Sequence, residues 1–298
     1  MSNSIQMKGH YSNILVPTDF SEQSLLALEQ AYALAKLLNV EITLLHVIPE
    51  GSGLFAFEKF FIPKFRDSEQ QKADYEESCN ARLLQISESA SKNSWIRVNP
   101  LLLKGKVHDM IVQVSKDIYA RFIVMAANSS DPEHKKYIIG SNTSRVIREA
   151  PCPVLTFNGT NIREQFDTII LPLDLTKETQ QKVARAIEIA KYYNSTIRVL
   201  SVLLTDENEV VTHLTEQLKQ VREFIEKRDI YTTAHIIHGD RIIGGFTSFI
   251  LDYAYETNGD LIMIMTQQEN NSRAKFIGSV ATELISRSKI PVLSVIPK

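Results

Sequence analysis

The residues in this chain best placed to do chemistry come in two matched sets. Asp19 and Asp174 each follow a short apolar run, in Leu15-Val16-Pro17-Thr18-Asp19 and in Leu171-Pro172-Leu173-Asp174. Gly140-Ser141 and Gly278-Ser279 each stand before a short segment that reads as a helix. An aspartate just past a strand can accept hydrogen bonds from a ligand, or it can cap the turn it sits in. Glycine at a helix start leaves backbone N–H groups uncovered, and with a serine hydroxyl beside them they suit a phosphate. The same pair also reads as a glycine before an ordinary serine-capped helix, and both readings stay open on the sequence.

Other reactive residue types offer less. His46 lies in an apolar run and reads as an interior histidine with its polar atoms satisfied. His235 and His238 are three apart on an expected strand, so they point to opposite faces and a shared metal is not expected. Cys152 stands between two prolines and reads as a buried structural thiol, while Cys79 has no companion. The chain has no Gly-x-Ser-x-Gly elbow, no Gly-x-x-x-x-Gly-Lys loop and no Ser-Gly-Gly loop. No catalytic residue and no metal ligand is assigned.

The two sets are matched because the chain is an internal duplication. Residues 11–48 align with 166–203 at a constant offset of 155 without a gap, pairing Pro17 with Pro172, Asp19 with Asp174, Lys36 with Lys191 and Asn39 with Asn194. A second block pairs Gly140-Ser141 with Gly278-Ser279 and Pro153-Val154-Leu155 with Pro291-Val292-Leu293. The expected domains are residues 1–158 and 166–298, with the junction near 158–165. From Val47 to Gly105 is 58 positions, against 37 from Val202 to Gly239, so the first half carries an excess of 21. Most of it is the insertion 51–67, with Phe55, Phe57, Phe60, Phe61 and Phe65, which reads as a flap, a partner-binding patch or a loop folded on its own core.

Each half alternates apolar runs with segments of helical spacing. Expected strands in the first half cover 12–17, 41–48, 95–103, 122–125 and 154–157; in the second they cover 168–173, 196–202, 231–238, 261–265 and 292–296. Ser21 reads as a helix N-cap, followed at helical spacing by Leu25, Leu28, Tyr32, Ala35 and Leu38. Further helices are expected over 69–92, over 106–119 and from Ser141. This order predicts an α/β protein of two similar doubly wound domains. Each half offers five strands for a parallel sheet flanked by helices. Ligands of such sheets bind beyond the carboxyl ends of the strands, where strand order reverses, which points to the loops after strands one and four.

Composition narrows the classes. The chain has 298 residues, 44% hydrophobic and 23% charged, which is globular rather than disordered. A net charge of −2 supplies no basic excess, so neither nucleic acid nor a membrane surface is expected as a partner. With two cysteines, no apolar stretch near the N-terminus and no apolar run of about 18 residues, a cytoplasmic location is expected.

At the marked loops the sequence resembles the universal stress protein family. The resemblance rests on 15–21 (Leu-Val-Pro-Thr-Asp-Phe-Ser), on Leu44-Leu45-His46-Val47, on Gly140-Ser141-Asn142-Thr143 and on 150–155, with the set repeated in the second half. It implies two five-stranded parallel α/β domains that pair through their last strands and pack as a pseudo-dimer. Many members bind ATP or another adenine nucleotide, with Mg2+ arriving only with the nucleotide, and others bind none. The contacts it implies in the first half are Pro17, Thr18, Asp19, Val47, Ala127, Ser130, Gly140, Ser141 and Asn142, and in the second Asp174, Gly278 and Ser279. Asp19 and Asp174 would take the ribose or adenine group. The family spacing has two glycines ahead of the Gly-Ser pair, and both halves lack them. Ala127 and Ser130 (or Ala126 and Ser129, counting from the strand) replace them in the first half, Met265 and Gln268 in the second. Small residues keep such a loop narrow, whereas Met and Gln would fill phosphate space. The expected function is a stress-response binding module with a weak nucleotide site in the first half. The alternatives are a slow nucleotide hydrolase and a ligand-free scaffold that recruits a partner through the Phe-rich insertion. A homodimer is also compatible.

Overall fold

The computed structural model describes residues 13–50, 69–128, 139–158, 162–174, 179–203, 207–238, 245–265 and 277–295. The Phe-rich insertion, Ser130 and Gln268 lie outside these residues. The first half runs β1 (Asn13–Pro17), α1 (Glu22–Leu38), β2 (Glu41–Pro49), α2 (Glu69–Ser94), β3 (Val98–Gly105), α3 (Val107–Asp117), β4 (Ala120–Ala126), α4 (Ser141–Glu149) and β5 (Val154–Phe157). The second repeats the pattern as β6 (Thr168–Pro172), α5 (Thr179–Tyr193), β7 (Thr196–Leu203), α6 (Asn208–Glu226), β8 (Thr232–His238), α7 (Gly245–Glu256), β9 (Leu261–Met265), α8 (Ser279–Arg287) and β10 (Val292–Val295).

Local chemistry sets the boundaries. Ser21, in extended geometry, caps α1 by accepting from the Ser24 N–H at 3.2 Å, and Asn39 closes the helix with a left-handed φ of 53°. Between them Ala27, Leu28, Ala31, Leu34, Ala35 and Leu38 form the buried stripe. The third strand starts later than the apolar run suggests. Trp95 takes a left-handed φ of 61° and is 95% exposed, so it ends the turn after α2, and the ladder begins at Val98.

The ten strands form one sheet in the order β3-β2-β1-β4-β5-β10-β9-β6-β7-β8. Pairing is parallel throughout except between β5 and β10, which meet antiparallel with Leu155 opposite Leu293. The two halves are therefore related by a twofold-like arrangement about this seam. Thr156 Oγ1 donates across it to the Val292 carbonyl at 3.1 Å, and Asn158 Nδ2 to the Ser286 carbonyl at 2.8 Å. Because strand side chains alternate, Ile14 and Val16 join the layer under α1, while Leu15 joins Val146 and Ile147 on the other face. Each of these two apolar layers contains residues of both halves, so the seam is part of a continuous core.

The connecting segment is anchored as well. The buried side chain of Gln30 donates to the Arg163 carbonyl (2.8 Å) and accepts from the Arg163 N–H (2.9 Å), while the Arg163 guanidinium lies 3.3 Å from Asp260. One glutamine of α1 thus satisfies both backbone groups of a residue that reaches into the second half. Among the described residues, no helix is long and apolar enough to cross a membrane.

Candidate functional site

From β1 the chain crosses to β2 on one side, and β4 lies on the other. Strand order therefore reverses between β1 and β4, and in doubly wound sheets the crevice that takes a ligand lies outside the carboxyl ends of the strands at such a point. The second half has the same reversal between β6 and β9.

On the β1 side of the first crevice, Pro17 ends the strand and Thr18 is buried, its N–H donating to the Leu45 carbonyl at 2.8 Å. Thr18 Oγ1 meets Ser24 Oγ at 2.9 Å and accepts from the Phe20 N–H at 3.0 Å. These bonds hold Phe20 in a left-handed conformation with φ of 65°. Asp19 is exposed at the mouth, where its Oδ1 accepts from the Ser21 N–H (3.0 Å) and from the Ser21 hydroxyl (2.5 Å). The turn-capping role of Asp19 is therefore real, and its exposed position still leaves it at the crevice edge. Val47 is buried on β2.

Behind this loop lies a stack that the sequence pattern did not suggest. Phe20 packs on the His46 ring with centroids 4.2 Å apart, and the Arg82 guanidinium of α2 lies 4.8 Å above Phe20 while donating to the Phe20 carbonyl at 3.3 Å. His46 Nδ1 bonds the Thr18 carbonyl at 2.8 Å, but the buried Nε2 has no partner among the described residues. Satisfaction of His46 is thus half of what its apolar setting implied. Burial holds its pKa below the ordinary imidazole value; the Thr18 bond and Asp19 oppose that, and Arg82 adds to it.

On the β4 side, Ala127 is fully buried directly after the strand. Its N–H donates to the Phe157 carbonyl at 3.1 Å and its carbonyl accepts the Gly140 N–H at 3.0 Å. Ala127 is not among the residues with positive φ, so it prolongs the sheet instead of imitating a glycine turn. Gly140 itself has φ of −56°, and its amide is used within the fold, so it offers no free donor at the start of α4. Ser141 and Asn142 are exposed at that start, and Thr143 Oγ1 turns inward to the Ala126 carbonyl at 3.2 Å.

The second crevice differs at its first residue. Lys182 of α5, nearly buried, places its Nζ 3.0 Å from Asp174 Oδ1. At the 155-residue offset, Lys182 stands where the first half has Ala27, and Ser201 where it has His46. The lysine was legible in the repeat as the one charge replacing a small core residue on a helix face. Met265 is the last residue of β9, buried and in register with Val295, so it belongs to the sheet and not to a loop. Gly278 and Ser279 are exposed at the start of α8, and nothing lies within 4 Å of where a Cβ on Gly278 would sit. Cys152, as expected, is buried, and burial raises its thiol pKa to about 12.

A duplicated, doubly wound α/β chain with a crevice at each strand-order reversal defines the class of protein. The universal stress protein family profile matches residues 10–158 and again 165–295, and the chain belongs to that family. Among curated relatives, Universal stress protein MJ0577 of Methanocaldococcus jannaschii is 28% identical over 162 residues, 51% of this chain and 97% of that protein. Universal stress protein G of Escherichia coli O157:H7 is 30% identical over 147 residues, 49% of this chain and 97% of that protein. The crystal structure of a universal stress protein from Archaeoglobus fulgidus shares the fold over 96% of both chains, with a TM-score of 0.72 at 21% identity.

Proposed function

We propose that this tandem universal stress protein is a binding module whose first half takes an adenine nucleotide weakly and whose second half takes none. One observation carries the asymmetry: Lys182 pairs with Asp174, whereas at the aligned position beside Asp19 the chain has Ala27. A carboxylate already held by an internal ammonium is a poor acceptor for a ribose or adenine group. In the first half Asp19 and Val47 would hold the nucleoside, and Ser141 and Asn142 at the start of α4 would meet a phosphate. Mg2+ would enter with the nucleotide. The fit on the phosphate side is partial. Ala127 replaces a loop glycine, and the Gly140 amide is committed to its carbonyl. Each lost amide contact is worth about 0.5–1.5 kcal/mol, so losing two weakens binding by roughly one to two decades.

Calorimetric titration of ATP into the wild type, Asp19→Ala and Asp174→Ala tests this. The expected result is one weak site, weakened about tenfold or more by Asp19→Ala and unchanged by Asp174→Ala. Loss of binding in Asp174→Ala with retention in Asp19→Ala would assign the site to the other half. Silence in the wild type would make the chain a ligand-free scaffold.

A further inference from the structure

Helices α3 and α4 pack on each other, and three side chains with metal-binding donors meet where they touch. His108 and Asp109 are in the first turn of α3, and Glu149 is the last residue of α4. An imidazole nitrogen and one oxygen from each carboxylate all lie within 4.8 Å of one another. His108 Nε2 and Asp109 Oδ1 are 3.1 Å apart. Glu149 stands at the opposite end of α4 from Gly140, about 13 Å away along its axis.

We propose that His108, Asp109 and Glu149 form a site for one divalent cation of the Zn2+ type, tying the start of α3 to the end of α4. One imidazole and two carboxylates form a donor set that Zn2+ accepts, with bonds of about 2.0–2.2 Å and a water in the fourth position. Those bond lengths put tetrahedral donors about 3.4 Å apart. His108 and Asp109 stand close to that spacing, and Glu149, exposed at the helix end, has at most about 1.4 Å to move. The His108 side chain is only 13% exposed, so little freedom is lost on binding, while Asp109 at 48% leaves the site open to solvent.

Charge points the same way. Glu149 puts an anion at the carbonyl end of α4, where the helix dipole disfavours it, and Asp109 adds a second carboxylate beside the same ring. The neighbouring cation is Arg145, one turn before Glu149, with Nη1 3.5 Å from each ring nitrogen of His108. It is exposed and can swing away, so a dication bonded to three donors would displace a monocation that only leans on the ring. The second half has Ile242, Ile243 and Arg287 at the corresponding positions, so one ion per chain is expected. This proposal does not rest on nucleotide binding.

The test is calorimetric titration of Zn2+ into the full chain, chelator-stripped and dialysed at pH 7.5, without nucleotide. One site of micromolar affinity is expected. His108→Ala should weaken it by more than about tenfold, while Arg145→Gln, which removes the competing cation and keeps every ligand, should tighten it several-fold. Circular dichroism identical to wild type would show that both variants are folded. Co2+ in place of Zn2+ should give the visible bands of a tetrahedral ion in the wild type and lose them in His108→Ala. No saturation below about 100 μM, unchanged affinity in His108→Ala, or weaker binding in Arg145→Gln would each overturn the proposal.

Discussion

At the end of its first strand the first half holds Asp19 against its own turn, through Ser21; at the same point the second half holds Asp174 against Lys182 from the following helix. The backbone frame is the same in both, with the same strand order and the same reversal point. The comparison teaches that one frame can hold the same carboxylate in two different ways, by its own turn or by a charge from the next helix. Pro17 and Pro172 both end a strand, and Asp19 and Asp174 both follow one, yet one exchange of Ala27 for Lys182 changes what the carboxylate is available to do.

The largest effect should come where the halves are equivalent. Leu155 and Leu293 face each other across the seam and are each almost fully buried. Truncating either to alanine should cost about 2–5 kcal/mol in urea unfolding, and the two variants should lose similar amounts. Costs that differ severalfold would break the twofold-like equivalence of the seam.

A smaller effect is expected from Lys182→Met. Asp174 is exposed enough to be rehydrated, so the loss of stability should be about 1 kcal/mol or less, read from the shift in Tm. Combined with Asp19→Ala, the variant asks what closes the second crevice. If ATP binding remains absent, more than the lysine closes the second crevice; if it appears, the lysine alone closed it.

The smallest effect concerns acid. His46 has a folded pKa below its unfolded value of about 6.5, so the unfolded chain binds the extra proton more readily. Its contribution is therefore complete above about pH 6.5 and is lost as pH falls below that value. His46→Ser, which copies Ser201, should flatten the fall in Tm between pH 7.5 and pH 5. An unchanged slope would place the acid sensitivity elsewhere.

Periodicity and repetition carried most of the architecture. Two of the expected strands, Val154–Phe157 and Leu261–Met265, coincide with β5 and β9, because continuous apolar runs flanked by turn residues leave a buried parallel strand little freedom in its ends. The Ser21 cap was legible for a similar reason, since a hydroxyl before an apolar helical stripe satisfies an amide one turn on. Trp95 misled because its apolarity looks like a strand, while its left-handed φ depends on how α2 ends.

What the sequence determined by itself is the duplicated doubly wound fold, with the first and fourth strands of each half side by side at the strand-order reversal. These follow from local spacing and from identity at a fixed offset. What only the tertiary structure decided is how each polar group is used. Asp174 is answered by a lysine eight residues away on a helix, Gln30 by a backbone 133 residues away, and His108 meets Glu149 across two helices. Hydrogen bonds and ion pairs act over about 3 Å, and residues distant in sequence come that close only once the sheet has fixed where each helix lies.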